Sequence, residues 1–218
     1  MAMVELALAI PKERYSAPAE RHEPRRGETD LARIERAVRE ILLAVGEDPD
    51  REGLRETPKR YARAVRELFG GLHEDAGTHL KRVFDHDHAG EDVVMLRNIP
   101  FSSICEHHLL PFTGHAHVAY LPAHGRVTGL SKLARTVDVF ARRPQMQERL
   151  TAQIADALVQ HLDPRGVAVV VDGEHSCLQL RGARKHDTEM RTSAYRGVYA
   201  TDRELRREVL SMMMDRRG

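Results

Sequence analysis

Apolar residues at Leu31, Ile34, Val38, Ile41, Leu42 and Val45 recur at three- and four-residue intervals, the spacing of one helix face. Thr29 or Asp30 stands where such a helix would be capped, and Gly46 where it would end. After a charged turn from Glu47 to Gly53, Thr57-Pro58 gives a second start, an N-cap followed by proline at the first helical position. Tyr61, Ala64, Val65 and Leu68 carry this helix to Gly70-Gly71. The stretch from His73 to Gly90 is rich in histidine and aspartate (His79, Asp85, His86, Asp87, His88) and reads as a solvated connection. From Asp92 the pattern shortens to that of strands. Val93, Val94, Met95, Leu96 and Ile99 form one; His115 to Leu121 forms another, with Ala116, Val118 and Tyr120 alternating against His115, His117 and Ala119.

Gly125-Arg126 turns the chain into Val127-Thr128-Gly129, and Ser131 opens a helix carrying Leu133, Ala134, Val137, Val139 and Phe140. Pro144 is expected to break that helix and start the next, with Met146, Leu150, Ile154, Leu158 and Leu162 inward and Asp163-Pro164-Arg165-Gly166 closing it. Val167 to Val171 is a wholly apolar strand, expected to be buried on both faces, with Cys177 to Leu180 as its hairpin partner. Thr201-Asp202 to Met214 reads as a final, arginine-rich helix. Helices first, then strands and helices in runs, indicate an α+β protein. Residues 1–29 are expected to form a poorly ordered tail, 30–90 a helical region with a connecting loop, and 91–218 the main domain with its C-terminal helix. A sheet of about four strands has two open edges, which strand pairing between copies would close.

Composition narrows the function without naming it. With 218 residues the chain can bury a sizeable core. A net charge of +1 gives no global reason to expect nucleic acid or a membrane surface as partner. No run approaches the about 18 apolar residues of a membrane span. Met1 to Ile10 lacks a basic start and is soon followed by Pro11-Lys12-Glu13-Arg14, so no signal peptide is expected. Two cysteines make no disulfide framework, and the expected location is cytoplasmic.

The candidate chemistry gathers in Cys105-Glu106-His107-His108 and in Glu174-His175-Ser176-Cys177. A Cys-x-x-His spacing lets a tight turn aim one sulfur and one ring nitrogen at a single point, a donor pair that suits zinc better than magnesium or calcium. With Cys177, the only other cysteine, Cys105 and His108 would make three ligands and leave a fourth position open, as catalytic zinc sites do. Two other readings stand beside this one: ordinary buried cysteines with a core histidine, and a Cys105–Cys177 disulfide, which a reducing compartment disfavours. His107 and His175 neighbour the ligand set and titrate near neutrality, so either can move a proton or simply pack.

Ser131, Lys132 and Arg135 at a helix start make an anion site, which Arg181, Arg184 and Lys185 could extend toward a multiply charged phosphate. Glu148, next to Gln147, could accept two hydrogen bonds from the N1–H and 2-amino group of guanine, although exposed helix placement is the plainer account.

Taken in order, these residues resemble the GTP cyclohydrolase I family over roughly residues 30–212. The resemblance rests on Asp50-Arg51-Glu52-Gly53-Leu54-Arg55-Glu56-Thr57-Pro58-Lys59-Arg60, on Cys105 to Phe112, on Gly129 to Arg135, on Phe140 to Leu150, on His175-Ser176-Cys177 and on Arg181-Gly182. It implies a tunnelling fold, an antiparallel sheet with a helix pair, preceded by N-terminal helices and joined edge to edge into the β-barrel rings of a homodecamer. It implies Zn2+ on Cys105, His108 and Cys177, with His107 and His175 as catalytic proton-transfer residues. Glu148 and Gln147 would bind guanine. Ser131, Lys132, Arg135 and Arg181, with Arg60 from a neighbouring subunit, would bind the triphosphate. The implied reaction opens the imidazole ring of GTP, releases formate and forms 7,8-dihydroneopterin triphosphate. The alternatives are a paralogue of the same fold acting on another purine or pterin, and a non-catalytic, zinc-stabilised binding protein. The second predicts a fourth protein ligand.

Overall fold

Twelve residues of β-strand, Val94–Cys105 (β2), run along the edge of the main sheet and deliver Cys105 at their end. The computed structural model describes residues 29–85, 92–123 and 125–215. The expected tail and the histidines of the 86–88 stretch lie outside the described residues.

The chain begins with two helices, Leu31–Ala44 (α1) and Thr57–Leu68 (α2). Asp30 caps the first by accepting from the backbone N–H of Arg33 at 2.9 Å, and Gly46, at φ +86°, turns the chain away after it. The N-cap of α2 is Glu56 rather than Thr57, with Pro58 in the first turn. The 73–85 stretch, expected to be a loop, is largely structured. A 3-10 turn at Gly70–His73 leads to a short helix, Ala76–Leu80 (α3), and to strand Val83–Asp85 (β1). Leu80 is fully buried in the core, which anchors a segment whose polar composition hides it from pattern reading.

β1 pairs antiparallel with Arg126–Thr128 (β4). The main sheet among the described residues has five strands in the order β5-β2-β3-β6-β7, where β3 is Pro111–Leu121, β5 Pro144–Gln145, β6 Gly166–His175 and β7 Glu189–Gly197. All its pairings are antiparallel except the two-residue β2–β5 contact. Helices Leu130–Ala141 (α4) and Gln147–Leu162 (α5) pack on one face, with Ala116, Val118 and Tyr120 of β3 and Val167, Val169 and Val171 of β6 beneath them. On the other face Ala119, Leu121, Ala168 and Val170 lie under Tyr199 and the C-terminal helix Arg203–Met214, through Val209 and Met213. Strand β6 is buried on both sides, as its unbroken apolar run Val167 to Val171 predicts.

Two further expectations fail for identifiable reasons. Pro144 does not start a helix: Pro144–Gln145 pairs with Ile104–Cys105, and α5 starts at Gln147. Proline has no N–H to give a ladder and is at home at a strand edge, while the Gln145 carbonyl accepts from the Glu106 N–H at 3.0 Å. Nor does Cys177–Leu180 return as a strand. It forms the four-residue helix Ser176–Gln179 (α6), because β6 runs on to His175 and leaves no turn before Cys177. The partner of β6 is β7, reached through Gly182, Arg184 and Asp187, all at positive φ. The last helices are Val198–Thr201 (α7) and Arg203–Met214 (α8), the latter capped by Asp202.

No helix among the described residues is long and apolar enough to cross a membrane.

Candidate metal centre

The turn after β2 is built to bring Cys105 and His108 together. The Leu109 N–H bonds the Cys105 carbonyl at 2.9 Å and the Cys105 N–H bonds the Leu110 carbonyl at 2.8 Å, closing one helical turn before β3 begins. Leu109 sits at φ +53° with its side chain 58% exposed, a conformation that costs a branched residue of order 1–3 kcal/mol. That turn sets the Cys105 sulfur 3.6 Å from His108 Nδ1.

Sheet register supplies the third group. Ile104 faces Pro111 across β2–β3, and Phe112 faces His175 across β3–β6. The start of α6 therefore lies beside the Cys105 turn. The Cys105 sulfur, the Cys177 sulfur and one ring nitrogen of His108 all lie within 4.8 Å of one another. Both cysteines are free thiols. Burial, then the neighbouring Cys105 thiol, pushes the Cys177 thiol up, and the Arg181 charge works the other way.

The donor set fits zinc. Tetrahedral zinc at about 2.3 Å from sulfur and about 2.1 Å from nitrogen holds such ligands about 3.6 Å apart, which matches the Cys105–His108 separation. Among the described residues only these three form such a group, so no fourth side chain closes it.

Around the triad, His107 is 62% exposed, with its Nε2 3.9 Å from Glu106. Arg149 grips both oxygens of Glu106, at 2.5 and 3.0 Å, and these hydrogen bonds hold its carboxyl below the usual range. This clamp ties the Cys105–His108 turn to α5, and pattern reading missed it. The only signal available was an acid beside His107 and an arginine in the later motif.

His175 stacks flat on Phe112, with ring centroids 4.5 Å apart and planes 5° from parallel. Its Nε2 lies 2.9 Å from Gln147 Oε1. Burial lowers its pKa below the ordinary value, and the nearby Glu148 charge opposes that shift. Glu148 is exposed on the first turn of α5, whereas Gln147, expected at the guanine, is buried with its amide already bonded.

Ser131, Lys132 and Arg135 stand on the first turns of α4, whose N-cap Gly129 has no side-chain bond to spend on the free N–H groups. Arg135, Arg181 and Arg60 are exposed. Among the described residues no hydrogen bond or ion pair joins Ser131, Lys132, Arg135 or Arg60 to the cysteine–histidine group within one chain.

A family model described as GTP cyclohydrolase I matches residues 34–214. The chain is 55% identical to GTP cyclohydrolase 1 of Carboxydothermus hydrogenoformans, over 84% of this chain and 95% of that protein. It is 59% identical to GTP cyclohydrolase 1 of Mycobacteroides abscessus, over 85% and 90%. It is 55% identical to that of Geobacillus kaustophilus, over 85% and 98%. A solved archaeosine synthase QueF-Like structure covers 48% of this chain and 93% of that one at 20% identity and TM-score 0.40, too loose to bear on function.

Proposed function

The chain belongs to the GTP cyclohydrolase I family, and we propose that it opens the imidazole ring of GTP hydrolytically and releases C8 as formate, after which rearrangement of the ribose and ring closure with loss of water give 7,8-dihydroneopterin triphosphate. One observation carries the reading: two sulfurs and an imidazole nitrogen from distant parts of the chain meet within 4.8 Å, with no fourth side chain among the described residues to close the set. Cys105, His108 and Cys177 would hold zinc. When bound, the ion supplies Lewis acidity that makes water a nucleophile at neutral pH.

The side chains do the rest. His107, exposed at the rim, donates a proton at guanine N7, which makes C8 electrophilic. His175 accepts and returns protons as the ring opens. Glu148, exposed at the helix start, accepts from guanine N1–H and the 2-amino group. Ser131, Lys132, Arg135 and Arg181 bind the triphosphate, with Arg60 entering from a neighbouring subunit of a homodecamer. The free α4 N–H groups and the absence of carboxylate partners for these cations among the described residues support that assignment. Two unbridged thiols suit a reducing compartment, so the proposed location is the cytoplasm.

Incubation with GTP followed by formate measurement and oxidation to a fluorescent pterin tests the reaction. Cys177→Ala is expected to lose both metal content and turnover. His107→Ala is expected to keep its metal and lose about 10²-fold or more in turnover. Full activity in the latter removes His107 from the mechanism.

A further inference from the structure

Gln147 lies at the first position of α5 and is 1% exposed. Its amide nitrogen is 2.8 Å from the Met190 carbonyl, 3.0 Å from the Val171 carbonyl and 3.3 Å from the Thr192 hydroxyl. Carbonyl oxygens only accept, so this end must be the nitrogen, and turning the amide over would set oxygen against oxygen twice. The other end, Oε1, lies 2.9 Å from His175 Nε2. An amide oxygen also only accepts, so Nε2 must carry the hydrogen. We propose that Gln147 is a positioning residue: it fixes His175 as the Nε2–H tautomer and so leaves Nδ1 as the ring's acceptor nitrogen.

The surroundings enforce this arrangement from several directions. Thr151 donates to the Gln147 carbonyl at 2.7 Å, and its oxygen lies 2.6 Å from the Thr192 hydroxyl. With Thr151's hydrogen so used, Thr192 donates to Thr151, and this chain of bonds runs on to the Gln147 backbone carbonyl, while the two amide hydrogens of Gln147 go to the nearer Met190 and Val171 carbonyls. Gly173 leaves the room: a Cβ there would fall 2.5 Å from Gln147 Oε1. The flat Phe112 stack holds the imidazole plane. Adjacent positions of α5 thus divide the work. Glu148 faces outward for the substrate, and Gln147 faces inward for the histidine.

The inference rests on the proposed proton-transfer role of His175, and the test separates the two. Magic-angle-spinning NMR of the metal-loaded protein labelled with 15N-histidine, assigned by difference against His175→Ala, reads the tautomer directly. Wild type is expected to show His175 as Nε2–H; an Nδ1–H signal overturns the proposal without any variant. Gln147→Met is expected to lose the single tautomer and roughly 10²-fold in kcat with little change in KM for GTP. A raised KM at unchanged kcat in Gln147→Met overturns the proposal, because it marks direct contact with substrate. A lost tautomer with both constants unchanged upholds the hydrogen-bond assignment and overturns the catalytic role of His175.

Discussion

His117 projects from β3 into a polar niche on the sheet face opposite α4 and α5, and is only 7% exposed. Its Nδ1 accepts from the Asn98 N–H at 3.4 Å, which leaves Nε2 to carry the hydrogen, 3.7 Å from the Asp172 carboxylate. Burial lowers the ring's pKa below its ordinary 6.5; Asp172 opposes that shift, and His115, Arg191 and Arg97 add to it. The unfolded chain therefore takes up this proton more readily than the folded one. The stability tied to a neutral His117 is complete above 6.5 and is lost as pH falls below it toward the folded value. His117→Asn keeps an acceptor for Asn98 without a titrating ring. Its melting temperature is expected to fall less than that of wild type between pH 7 and pH 5.5, and parallel slopes in a thermal-shift series would refute the assignment. At this scale residue type alone revealed Cys105, His108 and Cys177, because few side chains share their chemistry. Gln147 and His117 were not legible, because what they do depends on which atoms burial sets beside them.

At the scale of elements, the bulge between Leu96 and Ile99 interrupts the β2–β3 register, with Asn98 at φ +55°. The bulge turns Arg97 toward the end of α8, where its guanidinium donates to the Met212 and Asp215 carbonyls at 2.7 and 2.9 Å. These are last-turn carbonyls that the helix cannot satisfy itself. Arg97→Met is expected to cost about 1 kcal/mol and to speed amide exchange in residues 211–215 while leaving β6 protected. Uniform loss of protection would show that the contact holds the whole molecule and not this helix end. Periodicity located α1, α4, α5 and α8 well, since a helix's pattern lies within its own sequence. Pairing was harder. Nothing local in Cys177–Leu180 forbids a strand, and its helical form follows only from β6 running on to His175.

On the scale of the whole molecule, a single chain leaves surfaces that water should not face. Of the apolar stripe on α1 only Val38 is buried, while Ile41 and Val45 are 60% and 74% exposed. The outer edge of β7 has no strand partner among the described residues. Both fit the proposed assembly of copies through strand edges and N-terminal helices. Light scattering is expected to give a mass many times that of one chain. Ile41→Glu is expected to shift it to smaller species with lower turnover at low protein concentration, as sites lose Arg60 from a neighbour. A wild-type protein that is monomeric and fully active would sink the assembly proposal.

Local order along this chain determined the long helices, the doubly buried strand β6 and the cysteines and histidine of the candidate metal group, because period and side-chain chemistry are properties of short stretches. Only the folded structure decided that β7 pairs with β6, that Pro144–Gln145 is a strand edge, and that Cys177 arrives beside Cys105. Those outcomes depend on register between distant segments, where a shift of one residue would turn every side chain to the opposite face.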